Sequence, residues 1–147
     1  MIKNCGMLKF KKIESVSDKK IGVLTPIESK TNLPFDIKRI YYIYNVSNDV
    51  HRGFHSHREL HQVLIAVNGS VKIKLKTPYD ECIVELNDPS EGLYIGPLVW
   101  REMFDFQDDA VLLVLASERY NVDDYIRDWD AYVEESSSLF CNNEKEV

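Results

Sequence analysis

The stretch HQVLIAVNGSVKIKLK (61–76) decides the fold class. Its second half, SVKIKLK (70–76), alternates strictly, with Val71, Ile73 and Leu75 on one face and Lys72 and Lys74 on the other. Successive side chains of a strand point to opposite faces, so the pattern reads as a half-buried antiparallel strand. The first half, HQVLIAVNG (61–69), reads as a second strand with Val63, Ile65 and Val67 as its inward row. NGS (68–70) between them predicts a tight hairpin, because Asn and Gly tolerate the backbone such turns require.

Further β-prone runs lie on either side: IGVLTPI (21–27), FDIKRIYYIYNV (35–46), CIVEL (82–86), GLYIGP (92–97), VWREMFDF (99–106) and AVLLVLAS (110–117). NDPSEG (87–92) carries the Pro and Gly of a turn. About eight short strands at this spacing, with no helix between them, predict an all-β sandwich or jelly-roll barrel. One helix is expected near the end. In NVDDYIRDWDAYVEE (121–135), Val122, Tyr125, Ile126, Trp129, Tyr132 and Val133 fall on one helical face, with Asn121 as the cap and Asp123 and Asp124 in the first turn. Residues 1–135 are expected to form a single domain, and the polar tail SSSLFCNNEKEV (136–147) is expected to fray.

At 147 residues the chain is long enough to bury a core without staples. A net charge of −6 disfavours nucleic acid and anionic membrane as general partners, since neither is attracted to an acidic surface. Cys5, Cys82 and Cys141 are too scattered for metal-ligand spacing and read as reduced thiols, which suits a cytoplasmic protein. The longest apolar runs, such as AVLLVLA (110–116), are too short to span a bilayer, and the lysine-bearing N-terminus lacks a signal-peptide core.

Histidine is concentrated in one place: His51, His55, His57 and His61 all lie in HRGFHSHRELH (51–61). His55 and His57 share strand parity, and His61 keeps it. The row is therefore expected to look into the barrel, to hold a metal or to move protons; solvated loop histidines are the bland alternative. His51 has no inward parity and reads as surface.

GFHSHRELHQVLIAVNG (53–69) and GLYIGPLVWREM (92–103) resemble the two motifs of the cupins. Two positions depart from the metal-binding pattern of that superfamily. His61 stands where the glutamate ligand would be, and Arg101 stands where the last histidine would be. Arginine only donates and its charge repels a cation, so the resemblance points away from a metal and toward proton transfer.

The order LPFDIKRIYYIYNV, RGFHSH, LHQVLIAVNGSVKI, GLYIGPLVWREMFDF, VLLVLASERY, DDYIRDWDAY is similar to the sugar-nucleotide 3,4-ketoisomerases, a metal-free cupin branch, over roughly residues 8 to 133. The resemblance implies a cupin-type jelly-roll β-barrel with a short C-terminal helix. It also implies isomerisation of dTDP-4-keto-6-deoxyglucose to a 3-keto sugar without metal or redox cofactor, ahead of a PLP-dependent aminotransferase. Such chemistry removes the proton beside a carbonyl, passes through an enediol, and returns a proton to the old carbonyl carbon. A base with a pKa near neutrality and positioned donors suit it.

The same resemblance implies His55 as the main base. His57 would shuttle a second proton or bond the sugar oxygens, and Tyr41, on the face of Arg39, would be a relay or donor near the sugar, with a core aromatic as the alternative. Arg39, Arg52 and Arg101 are the candidates to neutralise the pyrophosphate or a developing oxyanion, with a plain surface charge as the alternative for Arg52. Arg101, unable to deliver a proton, points to same-face return and a gluco product. Trp100 would stack on thymine, with an interface or outer packing role as the alternative since its parity opposes Arg101, and Glu102 shares that parity. On the residues alone, His61 would orient His55 or His57 from behind, with a satisfied core histidine as the alternative. A homodimer is implied, its interface drawing on Tyr42, Tyr44 and Trp100. The rival readings are a 3,5-epimerase on the same substrate, a metal-dependent cupin, and a cupin that only binds a sugar nucleotide.

Overall fold

The computed structural model describes residues 1–141, so the last six residues of the expected tail (142–147) lie outside the described residues. Ten strands and one helix follow in chain order: β1 (Cys5–Lys9), β2 (Ile13–Glu14), β3 (Val23–Leu24), β4 (Arg39–Ile43), β5 (Arg52–His57), β6 (Gln62–Lys76), β7 (Glu81–Leu86), β8 (Glu91–Ile95), β9 (Trp100–Ala116), β10 (Tyr125–Ile126) and α1 (Trp129–Phe140). Apart from the small β2–β3 ribbon, the strands join one antiparallel sheet, in the order β1-β8-β6-β9-β5-β10, with β4 also on β9 and β7 also on β6.

Two long strands fold this sheet over. β6 pairs with β9 along its whole length, Gln62 opposite Ala116 and Lys76 opposite Trp100, with register shifts between Ala66 and Lys72. Beyond β9, the first half of β6 meets β8 and its second half meets β7. β9 likewise meets β5 with its first half and β4 with its second. Each long strand therefore belongs to both walls of a cupin-type jelly roll. Between the walls lies a core of Leu64, Ala66, Leu93, Leu112 and Val114 against Val71, Ile73, Leu75, Leu86 and Met103. Each of these side chains larger than alanine, removed from water, contributes about 1.5–3 kcal/mol.

The expected hairpin at NGS (68–70) is therefore corrected to a bend within a single strand. Gly69 has φ +65°, and a Cβ there would sit 2.3 Å from the Gln107 carbonyl oxygen. The Asn68 amide donates to the carbonyls of Asp108 and Asp109 across the bend. Asn and Gly supply the positive-φ geometry of a bulge as readily as that of a hairpin, and here the facing strand claims the pairing.

The bend also changes which residues face inward. Even positions, Leu64 and Ala66, enter the core before it, and odd positions, Val71, Ile73 and Leu75, enter after it. Val63 and Ile65, expected inside, lie on the other face under Phe10, Leu33 and Phe35, while Val67 is exposed.

The C-terminal helix is also displaced from its expected place. Asn121 caps only one 3-10 turn, Val122–Asp124, by accepting from the Asp123 amide. Tyr125 and Ile126 then pair with His57 and Ser56, because β-prone side chains beside an open edge gain a ladder there. The helix starts afresh at Trp129, with Asp128 accepting from the Ala131 amide. It continues to Phe140, burying Ser136 and Phe140, so the first residues of the expected frayed tail are helical.

Candidate active site

β5 carries the histidine pair. Gly53 (φ +93°) and Phe54 (φ +55°) make a bulge that restores His55 to its place opposite Arg101 on β9. A Cβ at Gly53 would stand 2.9 Å from the Arg101 carbonyl oxygen, so this close approach requires glycine. Two residues on, His57 lies opposite Tyr125 on β10. The imidazoles meet edge to face, 4.9 Å between centroids, and the Tyr125 ring touches both, at 5.1 Å from His55 and 4.3 Å from His57.

Behind them runs a buried polar chain. Arg101, 1% exposed, donates to Gln62 Oε1 at 2.6 Å and to the Val99 carbonyl at 2.9 Å. Gln62 Nε2 donates to the Tyr41 hydroxyl at 3.0 Å. Arg39 lies over the rings of Tyr41 and Tyr120. In front is an open cavity of about 910 Å³, lined by Arg39, His57, Arg119, Tyr120, Asp124 and Tyr125 among others. That volume lies within the range of small-molecule sites.

Electrostatics keep the imidazoles neutral. Burial and then the Arg101 charge pull His55 from its ordinary 6.5 to about 3. His57 is driven down further by the same two causes, with His55 adding to them. Burial raises the Tyr41 phenol. The buried side-chain nitrogens and oxygens that lack a hydrogen-bond partner among the described residues belong to Arg39, His55, Ser56, His57 and Arg101. Buried polar atoms are ordinarily satisfied, and here the exceptions gather in one place. Asp124 Oδ2 lies 3.3 Å from His57 Nδ1, close but out of line for a hydrogen bond.

Of the residues expected in the site, His55, His57, Tyr41, Arg39 and Arg101 come together. Arg101 lies too deep to meet a pyrophosphate, so its reach is through its charge and through Gln62. Arg52 is exposed on β5 opposite Met103 and does not line the cavity. Trp100 is packed beneath the helix against Trp129 and Tyr132, leaving no open face for a base; its indole donates to Glu102 at 3.3 Å.

His61 is on the opposite face from His55 and His57. Its Nδ1 is 2.7 Å from the Tyr94 hydroxyl and its ring lies near Phe35, so it orients neither imidazole. The three histidines do not converge. With a guanidinium beside the remaining pair, the residues present do not fit a bound metal ion. His51 is on the surface, stacked on Phe104.

Gln62, Asp124 and Tyr125 were missed. A lone amide in line with Leu64 and Ala66 was the signal for Gln62, hidden by the inverted parity. Asp124 and Tyr125 lie in the stretch whose periodicity predicts a helix, where the structure has a 3-10 turn and β10.

Residues 3–137 match the family described as WxcM-like, C-terminal (FdtA). The chain belongs to this family. It is 46% identical over 111 residues to the TDP-4-oxo-6-deoxy-alpha-D-glucose-3,4-oxoisomerase of Aneurinibacillus thermoaerophilus, covering 76% of this chain and 80% of that protein. The crystal structure of QdtA, a sugar 3,4-ketoisomerase from Thermoanaerobacterium thermosaccharolyticum in complex with TDP, superposes with a TM-score of 0.91 at 61% identity, over 95% of this chain and 99% of that one. The WlaRB TDP-quinovose 3,4-ketoisomerase of Campylobacter jejuni gives 0.84 at 41% identity, over 90% and 99%. No helix among the described residues is long and apolar enough to cross a membrane.

Proposed function

We propose that this protein is a 3,4-ketoisomerase that converts dTDP-4-keto-6-deoxyglucose to a dTDP-3-keto-6-deoxyhexose. The observation that carries the reading is the edge-to-face pair His55 and His57, held neutral beside the buried Arg101 at a cavity bordered by arginines. A neutral imidazole is a competent base, and a nearby fixed positive charge favours the enediolate that the base creates.

In this scheme His55 takes the proton from sugar carbon 3, and the electron pair moves to make the C3–C4 double bond and an oxyanion on the former ketone. A proton delivered to carbon 4, with the hydroxyl proton at carbon 3 passing to the carbon 4 oxygen, leaves the ketone at carbon 3 and a hydroxyl at carbon 4. His57 assists by shuttling a proton or bonding a sugar oxygen, and Tyr41 donates to the oxyanion. Arg39 on the cavity wall neutralises the pyrophosphate. Nothing in the scheme calls on a cofactor. Arg101, buried and always a donor, cannot serve as a second acid from the opposite wall. One base on one face would return the proton to the side it left, and because the hydrogens of carbons 3 and 4 in a gluco ring lie on opposite faces, that route gives the galacto product. The gluco product, the configuration of the quinovose in the name of WlaRB, requires delivery from the other face.

The fuller picture is a cytoplasmic homodimer whose product passes to a PLP-dependent aminotransferase. Exposed Ile40 and Tyr42 on β4, a strand with only one partner among the described residues, and Tyr44 just beyond it suit an interface.

The test is turnover of dTDP-4-keto-6-deoxyglucose in deuterated water, followed by NMR of the sugar protons. Ketone migration to carbon 3 with deuterium at carbon 4, lost by about 10²–10⁴-fold in His55→Asn, is expected. Deuterium at carbons 3 and 5 with an unmoved ketone means an epimerase. Tight nucleotide binding without exchange means a binding module.

A further inference from the structure

Gln62 stands between a group that can only donate and a group that can do either. Its Oε1 is 2.6 Å from Arg101 Nη1 and its Nε2 is 3.0 Å from the Tyr41 hydroxyl. A guanidinium has no acceptor, so the amide cannot be turned the other way: oxygen must face Arg101 and the NH₂ must face Tyr41. An amide nitrogen in turn only donates. The Tyr41 oxygen therefore accepts from Gln62, and the phenolic proton is free for some other acceptor. Among the described residues no other hydrogen bond is made by that hydroxyl.

The chain is rigidly held. Gln62 is 1% exposed, and its backbone is paired on both sides, to Ile95 of β8 and Ala116 of β9. Arg101 is anchored by the Val99 carbonyl as well as by Gln62. Tyr41 is half-buried, and Arg39 of the cavity wall lies over its ring, which brings Tyr41 to the edge of the site. Hydrogen-bond polarity thus runs one way, from Arg101 through Gln62 to Tyr41 and onward.

We infer that Gln62 is a positioning residue whose amide obliges Tyr41 to donate its proton outward, to the substrate oxygen on which charge develops. The inference rests on the ketoisomerase reading and deepens it. Tyr41 becomes a fixed donor rather than a hydroxyl free to accept, and Gln62 sets that role without touching substrate. A glutamate at this position would accept from both neighbours, taking up the phenolic proton and leaving Tyr41 with nothing to give.

A double-mutant cycle tests this, using the wild-type protein, Tyr41→Phe, Gln62→Glu and the pair combined. Rates of ketone migration are taken on the pH-independent plateau, because a carboxylate beside Arg101 also moves the imidazoles. Loss of one oxyanion donor lowers kcat by roughly 10²–10³-fold, and both single variants are expected in that range with KM little changed. The pair should lie within about threefold of Tyr41→Phe alone, because both changes remove the same bond. Full multiplication of the two losses, or a Gln62→Glu protein with the wild-type kcat, overturns the inference.

Should Gln62→Glu melt below the assay temperature, Gln62→Met replaces it. Its smaller loss, about tenfold from an unoriented hydroxyl, must likewise vanish in the Tyr41→Phe background, and persistence there counts against the inference. Wild-type protein that leaves the ketone at carbon 4 would instead remove the ketoisomerase reading itself, an outcome distinct from an active protein with multiplicative variants.

Discussion

The two halves of β6 are one continuous strand and yet do opposite work. Before the bend, Gln62 enters the interior as a buried amide bonded to Arg101 and Tyr41. After it, Val71, Ile73 and Leu75 enter as branched aliphatics with no exposed surface. Through Arg101, Gln62 reaches the histidines and the unpartnered nitrogens, a region whose side chains are poorly satisfied by one another. Leu75, in register with Arg101 at the far end of the other half, also adjoins that region. The apolar half is fully packed. Unpaired buried groups destabilise a fold, so their confinement to one end of the barrel marks where stability yields to chemistry.

The largest effect should come from breaking the apolar half. Ile73→Ala removes a side chain that is completely buried between the walls, opposite Val84 and Met103, and should cost about 2–5 kcal/mol in denaturant unfolding. The kcat per folded molecule should stay within about twofold of wild type, since Ile73 touches no group of the site. A large kcat loss with little change in stability would mean that the two halves are not separable.

A smaller effect sharpens the polar half. His55 is neutral in the fold down to about pH 3, whereas the unfolded chain takes up a proton below its ordinary 6.5. The unfolded state then binds more protons, so stability falls as pH drops from about 6.5 toward 3. At pH 5 the loss assigned to His55 is at most about 2 kcal/mol, reduced by its partial exposure. His57 acts in the same direction. Comparing unfolding free energies of wild type and His55→Asn between pH 7 and pH 5 isolates the contribution, and parallel curves would refute it. The acid limb of activity should likewise lie below the ordinary histidine range.

What could be read in advance followed from local chemistry. The alternation in SVKIKLK, the NDPSEG turn and the pairing of His55 with His57 each depend on a few neighbouring residues, and each is present in the fold. The failures depend on partners distant in sequence. Asn68-Gly69 encodes a positive φ, but only the carbonyls of Gln107 and Asp108 decide between hairpin and bulge. The bulge inverts parity, so Val63 and Ile65, which simple alternation points inward, lie on the other face, and Gln62 enters the interior in line with Leu64 and Ala66. Asn121 does cap a turn, yet the free edge of β5 takes Tyr125 and Ile126 for a strand. β1 was overlooked because CGMLK has no clear period, and its pairing with β8 supplies what local propensity lacks.

The smallest effect concerns how the segment bearing Asp124 and Tyr125 is held over the histidines. Arg58 follows His57 directly and grips Glu135 of α1 with two hydrogen bonds, at 2.9 and 2.7 Å. Its third nitrogen donates to the carbonyls of Asp123 and Tyr125. Both partners of the ion pair are more than a third exposed, so solvent screens it and Arg58→Ala should cost less than about 1 kcal/mol overall. The carbonyl bonds act locally, however, and their loss should loosen β10 more than the barrel. Amide exchange at Tyr125 and Ile126 should speed up while exchange along β6 is unchanged, with kcat falling only a few-fold. Exchange that rises equally in both places would mean that the segment opens only when the whole fold does. Tyr125 would then be as firmly placed as the barrel wall it leans on, and the site would need no latch.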